Sequence, residues 1–417
     1  MKRGLLFGAA LALALLVGTS GARASADALG ARHVCTSGQV RCMAMVVTRG
    51  GQTLRAASPS ALPTGYGPAQ YHKAYGLPMT TPKKITVAIV DAFDDATIAG
   101  DLQTYSKTFG LPVLPACSVT VTSGCFQKVN LGAPPGSAVA PGWDIGIALD
   151  VETVHAICEN CRIDLVEAVD NSSLNLAAAE NTAASMASIV SNSFGSYYVD
   201  GKEGSPFDPS FNHPKKAIVV AAGDFGYGVS YPAALNTVIS AGGTRLTLNA
   251  SGGYGSERAW GPSSMFDAGT GSGCASALVD GAAPVPARGF QHSAAGYSQT
   301  GCGTNRGDND VSANADPVTG SAVFASSSGW LQVGGTSLST PLIAGVYALK
   351  ANATTVNYPA SLLYAHLGTS AFRDVKTGND DANMWPLACP PATTQCIAKA
   401  GYDLPTGVGT PHGIGGF

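Results

Sequence analysis

The sequence predicts an α/β fold: a doubly wound, mostly parallel sheet flanked by helices, with long Gly/Ser-rich loops. Three observations carry this. Continuous β-branched, apolar runs recur along the chain, as buried parallel strands require. Helical patterns separate them, which is the signature of a layered α/β sheet. The remainder is rich in turn formers, with 52 glycines and 25 prolines in 417 residues.

The strand-like runs are ITVAIVD (85–91), RIDLVEA (162–168), SIVSNSF (188–194), KAIVVAA (216–222) and VISAGG (238–243). Between them lie ATIAGDLQTYSKTFG (96–110), IALDVETVHAICE (147–159) and LNLAAAENTAASMA (174–187). Residues 245–330 read as long surface loops with short strands, and no internal repeat is evident. Ahead of residue 65 the pattern weakens. Residues 1–24 carry basic Lys2 and Arg3, an apolar core and Ala22-Arg23-Ala24, the features of a secretory signal peptide cleaved after Ala24. Residues 25–64 show little periodicity and read as a short extension or linker ahead of one domain, 65–417. A secreted, extracellular monomer without a membrane span is expected.

Net charge is −3 and charged residues are 12% of the chain, with the basic ones scattered. Nucleic acid is therefore not an expected partner, and 45% hydrophobic residues exclude a disordered chain. Ten cysteines in an exported protein read as five disulfides. Pairing by proximity gives Cys35–Cys42, Cys117–Cys125, Cys158–Cys161, Cys274–Cys302 and Cys389–Cys396, although spacing alone leaves connectivity open. Arg306-Gly307-Asp308 reads as a solvated loop. The sequons at Asn171, Asn249 and Asn352 matter only if the host glycosylates them.

The chemistry concentrates in Gly335-Thr336-Ser337-Leu338-Ser339-Thr340-Pro341, followed by the apolar run LIAGVYALKA. A serine at a helix N-terminus meets free N–H groups and partial positive charge, which suit a nucleophile and a nearby oxyanion. Pro341 is expected in the first turn, where its missing N–H costs little. The string resembles GTSxSxP, the nucleophile motif of subtilisin-like serine peptidases, and within them the sedolisins (serine-carboxyl peptidases). A G-x-S-x-G elbow of the esterase type does not follow a strand here.

That resemblance extends from about Gly65 to Phe417 and implies a subtilisin-like sheet. Ala221-Ala222-Gly223-Asp224 matches the segment whose Asp donates to the oxyanion. A carboxylic acid donates only when protonated, so this arrangement favours acid pH; on the string alone Asp224 reads equally as a turn cap. Ser193-Phe194-Gly195 resembles the strand that pairs with an extended polypeptide substrate. In Trp143–Glu152, Asp150 matches the family Asp that supports a general-base Glu four residues earlier. Here that position is Gly146. Asp144 reads as a helix cap, Glu152 and His155 point to other faces of the helix, and Asp91 ends the first strand where subtilisins place their triad Asp. Losing a positioned base costs ~10²–10⁴-fold. The resemblance therefore implies either a secreted endopeptidase of impaired activity, using Ser337, Asp150 and Asp224, or a non-catalytic relative that binds extended peptides or a secreted partner.

The C-terminal strings around Asp374 and Asp403 resemble the sedolisin calcium site. The implied ligands of one structural calcium are the carboxylates of Asp374 and Asp403 and the carbonyls of Val375, Lys399 and Gly401. The family generally carries a large N-terminal prodomain, for which the upstream segment here is too short.

Overall fold

The computed structural model describes residue 1 and residues 28–55, 64–197, 205–263, 266–276, 283–382, 389 and 395–417. The signal-peptide reading of residues 1–24 lies almost wholly outside them. Among the described residues no helix is long and apolar enough to cross a membrane.

The main sheet runs in the order Tyr254–Ala259, Ile239–Leu248, Ala217–Ala221, Ile189–Asn192, Thr86–Ala92, Arg162–Ala168, Phe126–Asn130, with Val311–Asn314 also alongside Ile239–Leu248. Every pairing is parallel except that of Tyr254–Ala259, which is antiparallel. The central strands are buried throughout except at Arg162, which explains why they read as unbroken apolar runs rather than alternating ones. Helices Ile98–Phe109, Trp143–Ile157 and Ser173–Met186 connect or flank them.

Two helices cross the core. Every residue of Trp143–Ile157 is buried, and so is all of Thr336–Lys350 except its final Lys350. They pack at close range at Gly345, where an added Cβ would lie 2.6 Å from Ile157 Cγ2. Pro341 is the sixth residue of its helix rather than part of the first turn. Its missing N–H leaves the Ser337 carbonyl without the usual i+4 donor, and the Ser193 hydroxyl fills that role at 3.3 Å.

The segment read as an extension contributes strands. Leu29–His33 pairs antiparallel with Met45–Arg49, which pairs in turn with Gly329–Gly334, the strand leading into the Ser337 helix. Val34, Val40, Met43, Met45, Val46 and Val47 are each no more than 5% exposed. Burial of each such side chain stabilises by about 1.5–3 kcal/mol as an upper estimate. The drive is apolar surface joined to distant partners, which local periodicity does not display.

All five disulfides expected from proximity are formed.

Candidate active site

The site gathers at the carboxyl ends of the parallel strands, where open α/β sheets place their ligands. Asp91 lies near the end of Thr86–Ala92, Ser193 follows Ile189–Asn192, and Asp224 follows Ala217–Ala221. The N-terminus of Thr336–Lys350 faces these three strand ends, and the chain enters it through Gly335 at φ 94°. A Cβ on Gly335 would lie 2.2 Å from the Met43 carbonyl oxygen and 2.6 Å from Asp224 Oδ2. Only glycine leaves room for both oxygens there.

Ser337 is fully buried. Its hydroxyl donates to the Ser193 carbonyl at 2.8 Å, and its backbone N–H donates to the Met43 carbonyl at 2.8 Å. Asp224 is anchored on one side only. Its Oδ1 accepts both the N–H and the hydroxyl of Thr336, at 2.7 and 2.8 Å, while Oδ2 has no hydrogen-bond partner. Burial pushes the Asp224 carboxyl up to about 7, opposed by the two Thr336 bonds. In mild acid the proton therefore resides on the group, and Oδ2 is the oxygen free to carry it. His33 Nδ1 is 4.0 Å from Oδ2, and its ring stacks on Phe225 with centroids 5.0 Å apart. Burial, then the Arg41 charge, push His33 down to about 4.

Asp150 is fully buried in the middle of Trp143–Ile157. Burial holds its carboxyl well above the ordinary range, and the Ser193 hydroxyl opposes that shift without reaching hydrogen-bond geometry. Asp91 is raised as well, by burial first and then by the Asp150 and Glu167 carboxylates. The other acids of the helix are engaged elsewhere. Asp144 is not the helix cap, which is Gly142; it is the second helical residue and accepts from the Ser327 hydroxyl. Glu152 accepts the Phe324 N–H at 3.0 Å. His155 Nε2 is 2.9 Å from the Pro112 carbonyl, and burial lowers its pKa to about 4. No side chain of this helix bonds Ser337.

At Gly146, an added Cβ would lie 3.4 Å from both Cβ and Sγ of Cys42. One methyl group would meet the Cys35–Cys42 disulfide at ordinary contact distance, so the cross-link lies beside this helix position.

That cross-link belongs to a strand lying through the cleft. Arg41 and Cys42 pair antiparallel with Gly195 and Phe194. The Met43 N–H donates to the Ser193 carbonyl at 3.0 Å. Beyond Met43, Met45 and Val46 pair with Gly334 and Val333. The chain thus crosses the Ser337 N–H with its backbone bonded on both sides. Ser193, Phe194 and Gly195 do form a pairing edge, and its occupant is residues 41–43 of the same molecule. His33, Cys42, Met43 and Thr336 were not singled out as site residues from sequence. The run MAMVVT (43–48) is the one local signal that a strand lies there.

Away from the cleft, Asp374 and Asp403 meet in one loop cluster. Both Asp374 oxygens accept the Gly401 N–H, at 3.2 and 3.1 Å. Asp403 accepts the Lys399 N–H at 2.7 Å and both Thr406 donors at 2.9 Å. Among the described residues the Val375, Lys399 and Gly401 carbonyls accept no hydrogen bond. Two carboxylates with three free carbonyls are a donor set of the kind calcium takes.

A model described as the subtilase family matches residues 136–385. Kumamolisin of a Bacillus strain is 30% identical over 390 residues, covering 86% of this chain and 64% of kumamolisin. Sedolisin of a Pseudomonas strain is 30% identical over 191 residues, covering 44% of this chain and 29% of sedolisin. The chain thus spans less than two thirds of either relative. Among solved structures, Pseudomonas sedolisin, a serine-carboxyl proteinase complexed with two molecules of pseudo-iodotyrostatin, matches with TM-score 0.66 at 23% identity, over 84% of this chain and 96% of that one.

Proposed function

The chain belongs to the sedolisin family of subtilase-type serine peptidases, and from that premise we propose that it is an acid-acting endopeptidase slowed by one missing carboxylate. The observation that carries this reading is the Met43 carbonyl on the Ser337 N–H. An extended backbone lies in the cleft with a peptide carbonyl against the nucleophile's own donor.

In the proposed reaction Ser337 Oγ attacks such a carbonyl. The developing oxyanion takes hydrogen bonds from the Ser337 N–H and from protonated Asp224 Oδ2, with the helix N-terminus adding favourable field. Ser193 and Gly195 hold the substrate strand. Asp150 supports the site from beneath Ser193. With Gly146 in the helix, no side chain among the described residues accepts from the Ser337 hydroxyl, and water takes its proton; this costs ~10²–10⁴-fold relative to a positioned base. Export through residues 1–24, and a polypeptide substrate met outside the cell, complete the reading. We extend it to a structural calcium held by Asp374, Asp403 and the carbonyls of Val375, Lys399 and Gly401.

A second reading is a non-catalytic protein that binds extended peptides. The strand already seated in the cleft favours it, since residues 41–43 occupy the edge formed by Ser193, Phe194 and Gly195. Ser337-directed fluorophosphonate labelling between pH 3 and 8 separates the two. It is run on Cys35→Ser/Cys42→Ser, the same pair with Gly146→Glu, and each with Ser337→Ala. Labelling of the double variant that vanishes in Ser337→Ala supports the slow peptidase. Labelling only after Gly146→Glu is added supports the binding protein.

A further inference from the structure

We propose that residues 34–46 are a resident strap: the chain's own strand is the cleft's ligand, and the Cys35–Cys42 disulfide, beside Gly146, braces it there. This deepens the reading of the same site and rests on it for the identity of the cleft.

Four observations combine. The strand makes bonds on both sides of the nucleophile: Met43 N–H to Ser193, Arg41 and Cys42 to Gly195 and Phe194, and Met45 and Val46 to Gly334 and Val333. The disulfide is buried, with both cysteines 1% exposed, and lies against Gly146. The loop it closes is fastened to the body by Asn171, whose Nδ2 donates to the Ser37 and Val40 carbonyls at 3.0 and 2.8 Å. Its floor is fitted as well, since a Cβ on Gly142 would lie 2.3 Å from the Val34 carbonyl. Glycine at 142 admits the strap from beneath.

The energetic consequence follows from tethering. A ligand joined by a short segment acts at an effective concentration on the order of millimolar. A free peptide at ~10 μM therefore competes at roughly a hundredfold disadvantage. Opening the disulfide takes two electrons and two protons from an external dithiol, which leaves as its own disulfide while Cys35 and Cys42 become thiols. The strap then loses its brace but keeps its backbone bonds, so release is partial in the reduced protein and larger when the Met43 N–H is also removed.

The test is fluorescence anisotropy with a labelled synthetic peptide of residues 39–47 carrying Ser in place of Cys42. It is titrated against wild type, Cys35→Ser/Cys42→Ser and Met43→Pro, with folding checked by near-ultraviolet circular dichroism. Met43→Pro leaves the disulfide intact and deletes the bond to Ser193, so the question stays answerable if the cysteine variant does not fold. The expected result is tighter binding to both opened variants than to wild type, approaching about hundredfold as the strap is fully displaced. In parallel, hydrogen exchange at the Ser337 amide should be faster in both variants. Equal binding to wild type and both variants, or an unchanged Ser337 amide, overturns the strap. Peptide binding to the opened protein without fluorophosphonate labelling leaves the strap standing and removes the peptidase. Labelling of intact wild type at the rate of the opened variants removes the strap and keeps the peptidase.

Discussion

The backbone N–H of Ser337 donates to the carbonyl oxygen of Met43 at 2.8 Å. The donor that would steady an attacked peptide is engaged by the protein's own chain. Chemistry at Ser337 is therefore expected only once the cleft is opened.

Asp224 should set an alkaline limit on that chemistry. Its carboxyl, raised by burial to about 7, donates when protonated and repels an oxyanion when ionised. In Cys35→Ser/Cys42→Ser, fluorophosphonate labelling should fall as pH rises through about 7, by ~10²–10³-fold for one lost donor. Asp224→Asn keeps a donor at every pH and should flatten the limb. A limb that survives in the Asn variant assigns it to another group.

Gly146 and the disulfide should be coupled. Gly146→Ala adds one methyl at ordinary contact distance from Cys42 and should change the thermal midpoint little. Gly146→Glu with the disulfide intact should lower the midpoint, by up to about 1–3 kcal/mol of overpacking against Cys42. In Cys35→Ser/Cys42→Ser the same substitution should fit and raise Ser337 labelling by ~10²–10⁴-fold. Additive stability effects in a double-mutant cycle between position 146 and the cysteine pair would mean that the two sites are not coupled.

The fold should be steadiest in mild acid. Burial raises Glu167 and Glu180 to about 8, Asp224 to about 7 and Asp308 to about 6. These groups bind a proton more tightly folded than unfolded. Their contribution is complete below the unfolded value near pH 4 and is lost as pH rises through 6 to 8. His33 and His155, lowered to about 4, act oppositely, losing stability as pH falls from about 6.5 to 4. The urea midpoint should therefore peak between about pH 4 and 6. Glu180→Gln should shrink the loss on the alkaline side, since a neutral amide has nothing to ionise.

Calcium should raise the melting temperature. At a hundredfold excess over its Kd, an ion that binds only the folded state stabilises by about 2.7 kcal/mol. The midpoint with calcium should lie several degrees above that with a chelator, and Asp403→Asn should abolish the difference. An Asp170→Asn control, on an acid that accepts from Ser172 and Asn175, should retain it. Equal midpoints for wild type in both buffers would sink the calcium assignment.

The central layers were legible because burial on both faces writes itself into continuous apolar runs. The expected strands at 85–91, 162–168 and 216–222 correspond to Thr86–Ala92, Arg162–Ala168 and Ala217–Ala221. Phe126–Asn130 was not legible, because it lies at the sheet's edge and reads FQKVN. Val311–Asn314 was missed for another reason: VSAN is made of small residues whose burial comes from neighbours far along the chain. The strings around Ser337, Asp224 and Ser193 announced themselves by local pattern. What fills the cleft did not, since the pairing of Arg41 with Gly195 spans most of the first half of the chain. Gly146 could be recognised in sequence as a gap; only three dimensions put Cys42 beside it.

The cross-link beside Gly146 also bears on how such a sequence can change. Both cysteines are buried, so loss of either one strands its partner as a lone thiol under a buried strand. The two are therefore expected to persist or to vanish together.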